Sequence, residues 1–256
     1  MMDRKDFQAI YMLWLRQMKR FLRTKSRVVA TIVQPLFFLF ILGFGLNIAI
    51  FPGMEGSYIT FLAPGIIAMA ILFSSMFTGV SVLWDRQSGF LQEVLVAPVS
   101  RLSIVIGRTF GGATVALIQG LIIMVIAIVL GVQISGLRGF LLTIFFMILL
   151  SFTAVGFGLI LASTMRDFEG FQSIMSLIVM PLMFLSSSFY PINESLPDWL
   201  RILSFCNPLF YMVDGIRGSF TGINYVIPPL INLGIILVIC IIIMVLGTHF
   251  FNKSEI

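Results

Sequence analysis

The sequence predicts an all-α integral membrane protein with six transmembrane helices. Three observations carry that expectation. Of the 256 residues, 59% are hydrophobic and only 11% are charged, whereas a soluble domain is roughly 25% charged. Too few charges are present to cover a water-facing surface. Six apolar runs, near 28–50, 58–83, 109–132, 139–163, 173–190 and 226–248, can each cross a hydrocarbon core of ~30 Å at ~1.5 Å per helical residue. None shows the strand alternation of a membrane barrel.

Basic residues orient the six runs. Thirteen of the sixteen Lys and Arg fall on the side of the two termini, and only Arg138, Arg201 and Arg217 on the other. The positive-inside rule places both termini and the connection 84–108 in the cytoplasm of a cell-membrane protein. The net charge of +5 is thus a topological signal, and no nucleic-acid partner is expected. No cleavable signal peptide is expected, because a charged segment precedes an apolar run too long for one. Cys206 and Cys240 fall in a loop and mid-span, so no disulfide framework is expected.

Ahead of the membrane domain, 28–256, residues 1–27 read as an amphipathic interface segment. Phe7, Ile10, Tyr11, Trp14, Met18, Phe21 and Leu22 recur at helical spacing, with Arg16, Lys19, Arg20 and Arg23 mainly opposite. Such a helix lies in the cytoplasmic interface, aromatic side down and basic side toward lipid phosphates. It serves as an anchor or as part of a docking surface for a cytoplasmic partner.

Between runs 2 and 3 stands GFLQEVLVAPVSR, residues 89–101. Phe90, Leu91, Val94 and Leu95 make one apolar face of a short helix over 87–97. Pro98 ends that helix, since proline lacks the backbone donor and restricts the residue before it. Ser100 can cap the next helix. A connection this long is usually functional. Before run 6, residues 191–222 contain two short apolar segments, 197–205 and 208–219, split by the cap signal Asn207-Pro208. They read as a helical hairpin that dips into the outer leaflet without crossing. Asp198 with Arg201, and Asp214 with Arg217, are i, i+3 pairs expected to neutralise each other.

Catalytic signatures are missing. None of the lysines, Lys5, Lys19, Lys25 and Lys253, follows a glycine, so there is no P-loop. The lone His249 reads as a capping or interfacial residue. The spans hold mild polar residues such as Gln34, Gln119 and Asn232 rather than the charges that drive coupled carriers. A transport pathway without its own motor fits this pattern. The alternatives are a lipid-modifying membrane enzyme, which needs clustered Asp, His or Lys, and a self-contained carrier or channel, which needs intramembrane charge.

The six spans, the basic amphipathic N-terminus, GFLQEVLVAPVSRLSIVIGR after run 2 and NPLFYMVDGIRGSFTG before run 6 resemble the permease subunit of ABC type-2 exporters. The most specific part is the run Glu93, Leu95, Pro98, Val99, Ser100 and Arg101. The resemblance implies a non-enzymatic half-transporter that pairs with a second copy of itself and with two copies of a separate ATPase carrying Mg-ATP. The chain itself needs no cofactor and no metal. The 89–101 segment would be a coupling helix seated in a groove of the ATPase, with Arg86, Phe90, Leu91, Glu93, Val94, Pro98 and Arg101 as its docking and register residues. The cargo path, between the two copies, would be lined by runs 1, 2 and 5. Gln34, Phe37, Phe73, Phe77 and Phe184 are candidates for a lining that suits an amphipathic or glycan- or lipid-linked cargo.

Overall fold

The computed structural model describes residues 4–46, 54–90, 94, 96, 99–165 and 167–254. Those residues form nine helices: α1 (Arg4–Arg23), α2 (Lys25–Gly45), α3 (Tyr58–Gln87), α4 (Arg101–Val129), α5 (Gly136–Thr164), α6 (Phe168–Phe184), α7 (Asp198–Cys206), α8 (Pro208–Phe220) and α9 (Pro229–Ser254). The all-helical, membrane-embedded fold class is therefore as the composition predicts. Five helices are long and apolar enough to cross a membrane: α2, α3, α4, α5 and α9.

The expected fifth run, 173–190, is instead the 17-residue helix α6. It starts earlier than expected, because the Asp167 carboxylate accepts from the Gly170 N–H and caps it. It stops at Phe184, where three serines take over. Ser187 adopts φ 61°, a left-handed backbone that ends a helix. Ser186 and Ser188 join their hydroxyls at 2.6 Å.

Helix α3 is the axis of the fold. Nearly its whole length is buried, against α2, α4, α5 and α8. Side-chain volume is what normally keeps two helices apart, and here it is missing. A Cβ on Gly79 of α3 would lie 2.5 Å from the Gly158 carbonyl oxygen of α5, so the backbones touch as small-residue crossings in membranes do. Helices α2, α6 and α9 stay at the rim, with exposed apolar faces.

The two short outer segments fall almost where the sequence puts them, as α7 and α8. The Asn207 side chain accepts from the Leu209 N–H at 2.9 Å, and Pro208 takes the first helical position. Helix α8 is sunk among α3, α5 and α9, while α7 keeps Trp199, Ile202 and Leu203 exposed.

Candidate coupling site

Helix α1 is amphipathic as expected, but it does not lie alone on a surface. It runs parallel to the first half of α4. Asp6 meets Ser100 and Ser103, Ile10 meets Gly107, Gln17 meets Gly111, and the Trp14 indole N–H donates to the Thr114 hydroxyl at 3.1 Å. Gly107 and Gly111, one turn apart, make this approach possible. A Cβ on either would sit within about 3 Å of α1 atoms.

Two contacts of α1 bracket the connection between α3 and α4. At the far end, the buried Asp6 carboxylate accepts from the Ser100 N–H at 2.8 Å and the Ser103 hydroxyl at 3.1 Å. At the near end, Arg16 grips Asp85 with both arms, at 2.7 and 2.9 Å. The same guanidinium lies 3.7 Å above the Phe90 ring. Asp85 is 4% exposed and also pairs with Arg108, itself 1% exposed, at 3.0 Å, and with Arg20 at 3.7 Å. Arg20 in turn lies 5.3 Å from the Trp84 ring. One buried carboxylate thus organises three arginines from two helices. Burial of an unpaired carboxylate is prohibitive, and this pairing removes most of that cost.

Between these brackets, Ser88 and Gly89 turn the chain, with Gly89 at φ 76°, a conformation that glycine adopts without steric penalty. Phe90, Val94 and Val96 have helical backbone. Leu91, Glu93 and Pro98 lie outside the described residues. Phe90 and Val94 are each partly exposed. Arg16 covers one face of the Phe90 ring, and Val94 packs on the cluster that includes Leu13, Leu83, Ile104 and Phe171. An apolar face finds its cover first in its own chain. The side chain turned outward is Val96, 86% exposed. Arg101 is exposed at the first turn of α4. Arg86 donates to the Met165 carbonyl at 3.2 Å, tying α3 to the α5–α6 connection. Of the interface residues, Arg16 and Arg20 serve Asp85, while Lys19 is exposed.

Three of the five candidate pathway residues come together. Gln34, Phe73 and Phe77 line a cavity of about 380 Å³ between α2, α3 and α6. Thr31, Gln172 and Ser176 are its other polar side chains, and no charged side chain lines it. Phe37 and Phe184 do not line it and lie on the exposed faces of α2 and α6.

In α7, Asp198 and Arg201 pair at 3.6 Å as expected. The Asp214–Arg217 pair does not form. Asp214 accepts from the Val226 and Ile227 N–H groups at 2.8 and 2.9 Å and from the Asn232 amide at 2.9 Å. Arg217 donates to the Ser187 hydroxyl and carbonyl and to the Phe61 carbonyl, with its guanidinium 4.0 Å from the Phe61 ring. Buried backbone groups of neighbouring segments need partners more than the two side chains need each other. Replacing Asp214 by asparagine puts an amide donor against a backbone donor. We expect a cost of about 1–3 kcal/mol, read as a lower thermal midpoint of the purified protein. An unchanged midpoint would remove Asp214 from the packing of α8 on α9.

Sequence reasoning missed Asp85, Asp6 and Val96. The first had a signal: one carboxylate at the end of a 30-residue apolar helix requires a cationic partner, and the basic residues of α1 offered it.

Residues 8–221 match the family model described as the ABC-2 type transporter. The chain is 30% identical over 243 residues to the inner membrane transport permease YadH of Escherichia coli (strain K12), covering 91% of this chain and 90% of that one. It is 28% identical over 257 residues to a protein of Cyanophora paradoxa named as the transport permease ycf38, covering 96% and 88%. Over 158 residues it is 31% identical to an E. coli K12 protein named as the multidrug ABC transporter permease YbhR, covering 61% of this chain and 42% of that one.

Proposed function

Since the chain belongs to the ABC-2 type transporter family and is a multi-pass membrane permease, we propose that it is the membrane subunit of an ATP-driven exporter whose ATPase is a separate chain. The single observation that carries this reading is the bracketing of residues 89–99 by α1, through Asp6 on one side and Arg16 on the other. A segment that must transmit force needs two fixed feet. Both are supplied by the same helix, so a push on the segment moves α1, α3 and α4 together. Mg-ATP binds to the partner, and this chain contributes no catalytic group.

In this reading α6 also spans the membrane, as the fifth of six spans, and both termini are cytoplasmic, in line with the split of basic residues. Two permease copies and two ATPase subunits make the working unit. The exposed apolar residues Phe37, Phe40 and Phe44 of α2, beside Leu177, Met180 and Phe184 of α6, support a second copy against that face. The neutral, aromatic cavity at Gln34, Phe73 and Phe77 supports an amphipathic or glycan- or lipid-linked cargo.

The docking test uses two residues. Val96→Glu puts a charge on the outward side of the segment, and Glu93→Lys reverses one that fixes register. Like charges at an interface can cost several kcal/mol. Both variants should express and insert normally, yet fail to retain the ATPase on affinity capture or to stimulate its hydrolysis. Normal capture with both would make 89–99 an ordinary loop. For topology, a cysteine at position 92 should label only from the cytoplasm and one at position 194 only from outside. Labelling from one side alone would sink the six-span arrangement.

A further inference from the structure

The C-terminal half of α1 carries more positive charge than the chain itself uses. Arg16, Lys19, Arg20 and Arg23 line one groove of about 420 Å³, floored by Met12 and Leu15. Among the described residues, Asp85 is the acid that Arg16 and Arg20 reach, and it is already held by both arms of Arg16 and by Arg108. Arg20 reaches it only at 3.7 Å. Among the described residues, no acidic side chain lies within ion-pair distance of Lys19 or Arg23. These two cations stand one helical turn apart on the same stripe, so they present a pair of donors to one ligand.

The groove's position narrows the ligand. It ends at Thr24, a few residues before the apolar window that opens at Val28. Trp84, half exposed, stands beside Arg20 in the manner of an interfacial belt residue. Leu22, 66% exposed, flanks the cations on the α1 surface. Basic side chains, an apolar floor and an aromatic rim at the edge of a span together match a phosphate-bearing headgroup with the start of its acyl chain.

We propose that this groove is a binding site for one anionic phospholipid of the cytoplasmic leaflet, held through its phosphate by Lys19 and Arg23. Arg20 stands between the site and Asp85. A lipid phosphate therefore competes for the loosest of the three arginine contacts at the root of the 89–99 segment, and the leaflet's charge is read where that segment is anchored. The proposal rests on the cytoplasmic placement of α1 given above, but not on the ATPase.

The test is made on the purified full-length permease alone, so a missing ATPase partner leaves it intact. Native mass spectrometry counts retained phosphatidylglycerol against phosphatidylcholine at equal supply. Each basic side chain near an anionic headgroup is worth about fivefold in affinity, so Lys19→Gln/Arg23→Gln should lower the preference about 25-fold. Lys19→Arg/Arg23→Lys, which keeps both charges, should retain it and controls for folding. An undiminished preference in the neutral variant would overturn the proposal. So would displacement of phosphatidylglycerol by millimolar inorganic phosphate, which would mark a site for soluble anions. Loss of ATPase capture in the neutral variant with lipid preference intact would reassign the groove to the protein partner.

Discussion

Asp85→Ala is expected to cost the permease about 3–5 kcal/mol of stability, the range for breaking a buried ion pair from one side. The cost comes from Arg108, which at 1% exposure would keep its charge without its carboxylate. Arg16 would also lose both of its bonds to Asp85, and with them its fixed position over Phe90. Two losses should follow in order. The thermal midpoint of the purified protein should fall sharply, and transport should fail even at temperatures where the variant stays folded. The double variant Asp85→Ala/Arg108→Leu separates them, because removing both members of a buried pair is often close to neutral. It should regain much of the midpoint but not the transport, since Arg16 still lacks its anchor. A single variant as stable as the parent would mean that the cluster contributes nothing to the fold. A double variant that transports normally would mean that Arg16 needs no anchor.

Arg217→Leu should be nearly as damaging, at the opposite side of the molecule. The Ser187 carbonyl would be left buried without its donor, at about 1–3 kcal/mol, and the Phe61 carbonyl would lose the second contact it has beyond its helical bond. Asp214 would keep all three of its donors but lose the favourable charge of Arg217. What loosens is the turn after α6. Its remaining ties are the Tyr58 hydroxyl on the Phe189 carbonyl at 2.7 Å and the Asn207 amide on the Leu182 carbonyl, also at 2.7 Å. A cysteine placed at position 188, buried in the parent, should become reactive to thiol reagents in the Arg217→Leu background. Arg217→Lys should rescue little, because a point charge cannot serve carbonyls in two directions as a planar fork does. Full rescue by lysine, or an unreactive cysteine, would show that the turn is held by other means.

Elements whose ends are set by local chemistry were legible in the sequence. Asn207-Pro208 is a cap followed by a first-turn proline, and it divides α7 from α8 as read. Continuous apolar runs of sufficient length gave five spanning helices within several residues at either end. The run 173–190 was misread because hydrophobicity does not distinguish helix from turn. The backbone reversal at Ser187 depends on Arg217, thirty positions away in sequence. Asp214 and Arg217 were paired on spacing alone. Spacing fixes which side chains could meet, but the unpaired backbone groups around them decided that they do not. Of the site, the 89–101 segment and the basic α1 were visible by pattern. Their connection was not, because Asp85 gathers arginines from 69 positions earlier and from the next helix. Nor does an amphipathic pattern state which neighbour covers its apolar side. Val94 packs in part on its own chain and stays partly exposed.

The order of residues around Asp85 also governs how the chain can be made. Arg16 precedes Asp85 by 69 positions. At ~5–20 residues per second, the ribosome releases the arginine roughly 3–14 s before the acid. The positive partner is therefore already made when the end of α3 arrives, and the carboxylate does not have to be buried alone. Arg108 follows after Asp85 and reaches its buried position only once a counter-charge is in place. Synthesis from the other end would present Arg108 first, with nothing to receive it.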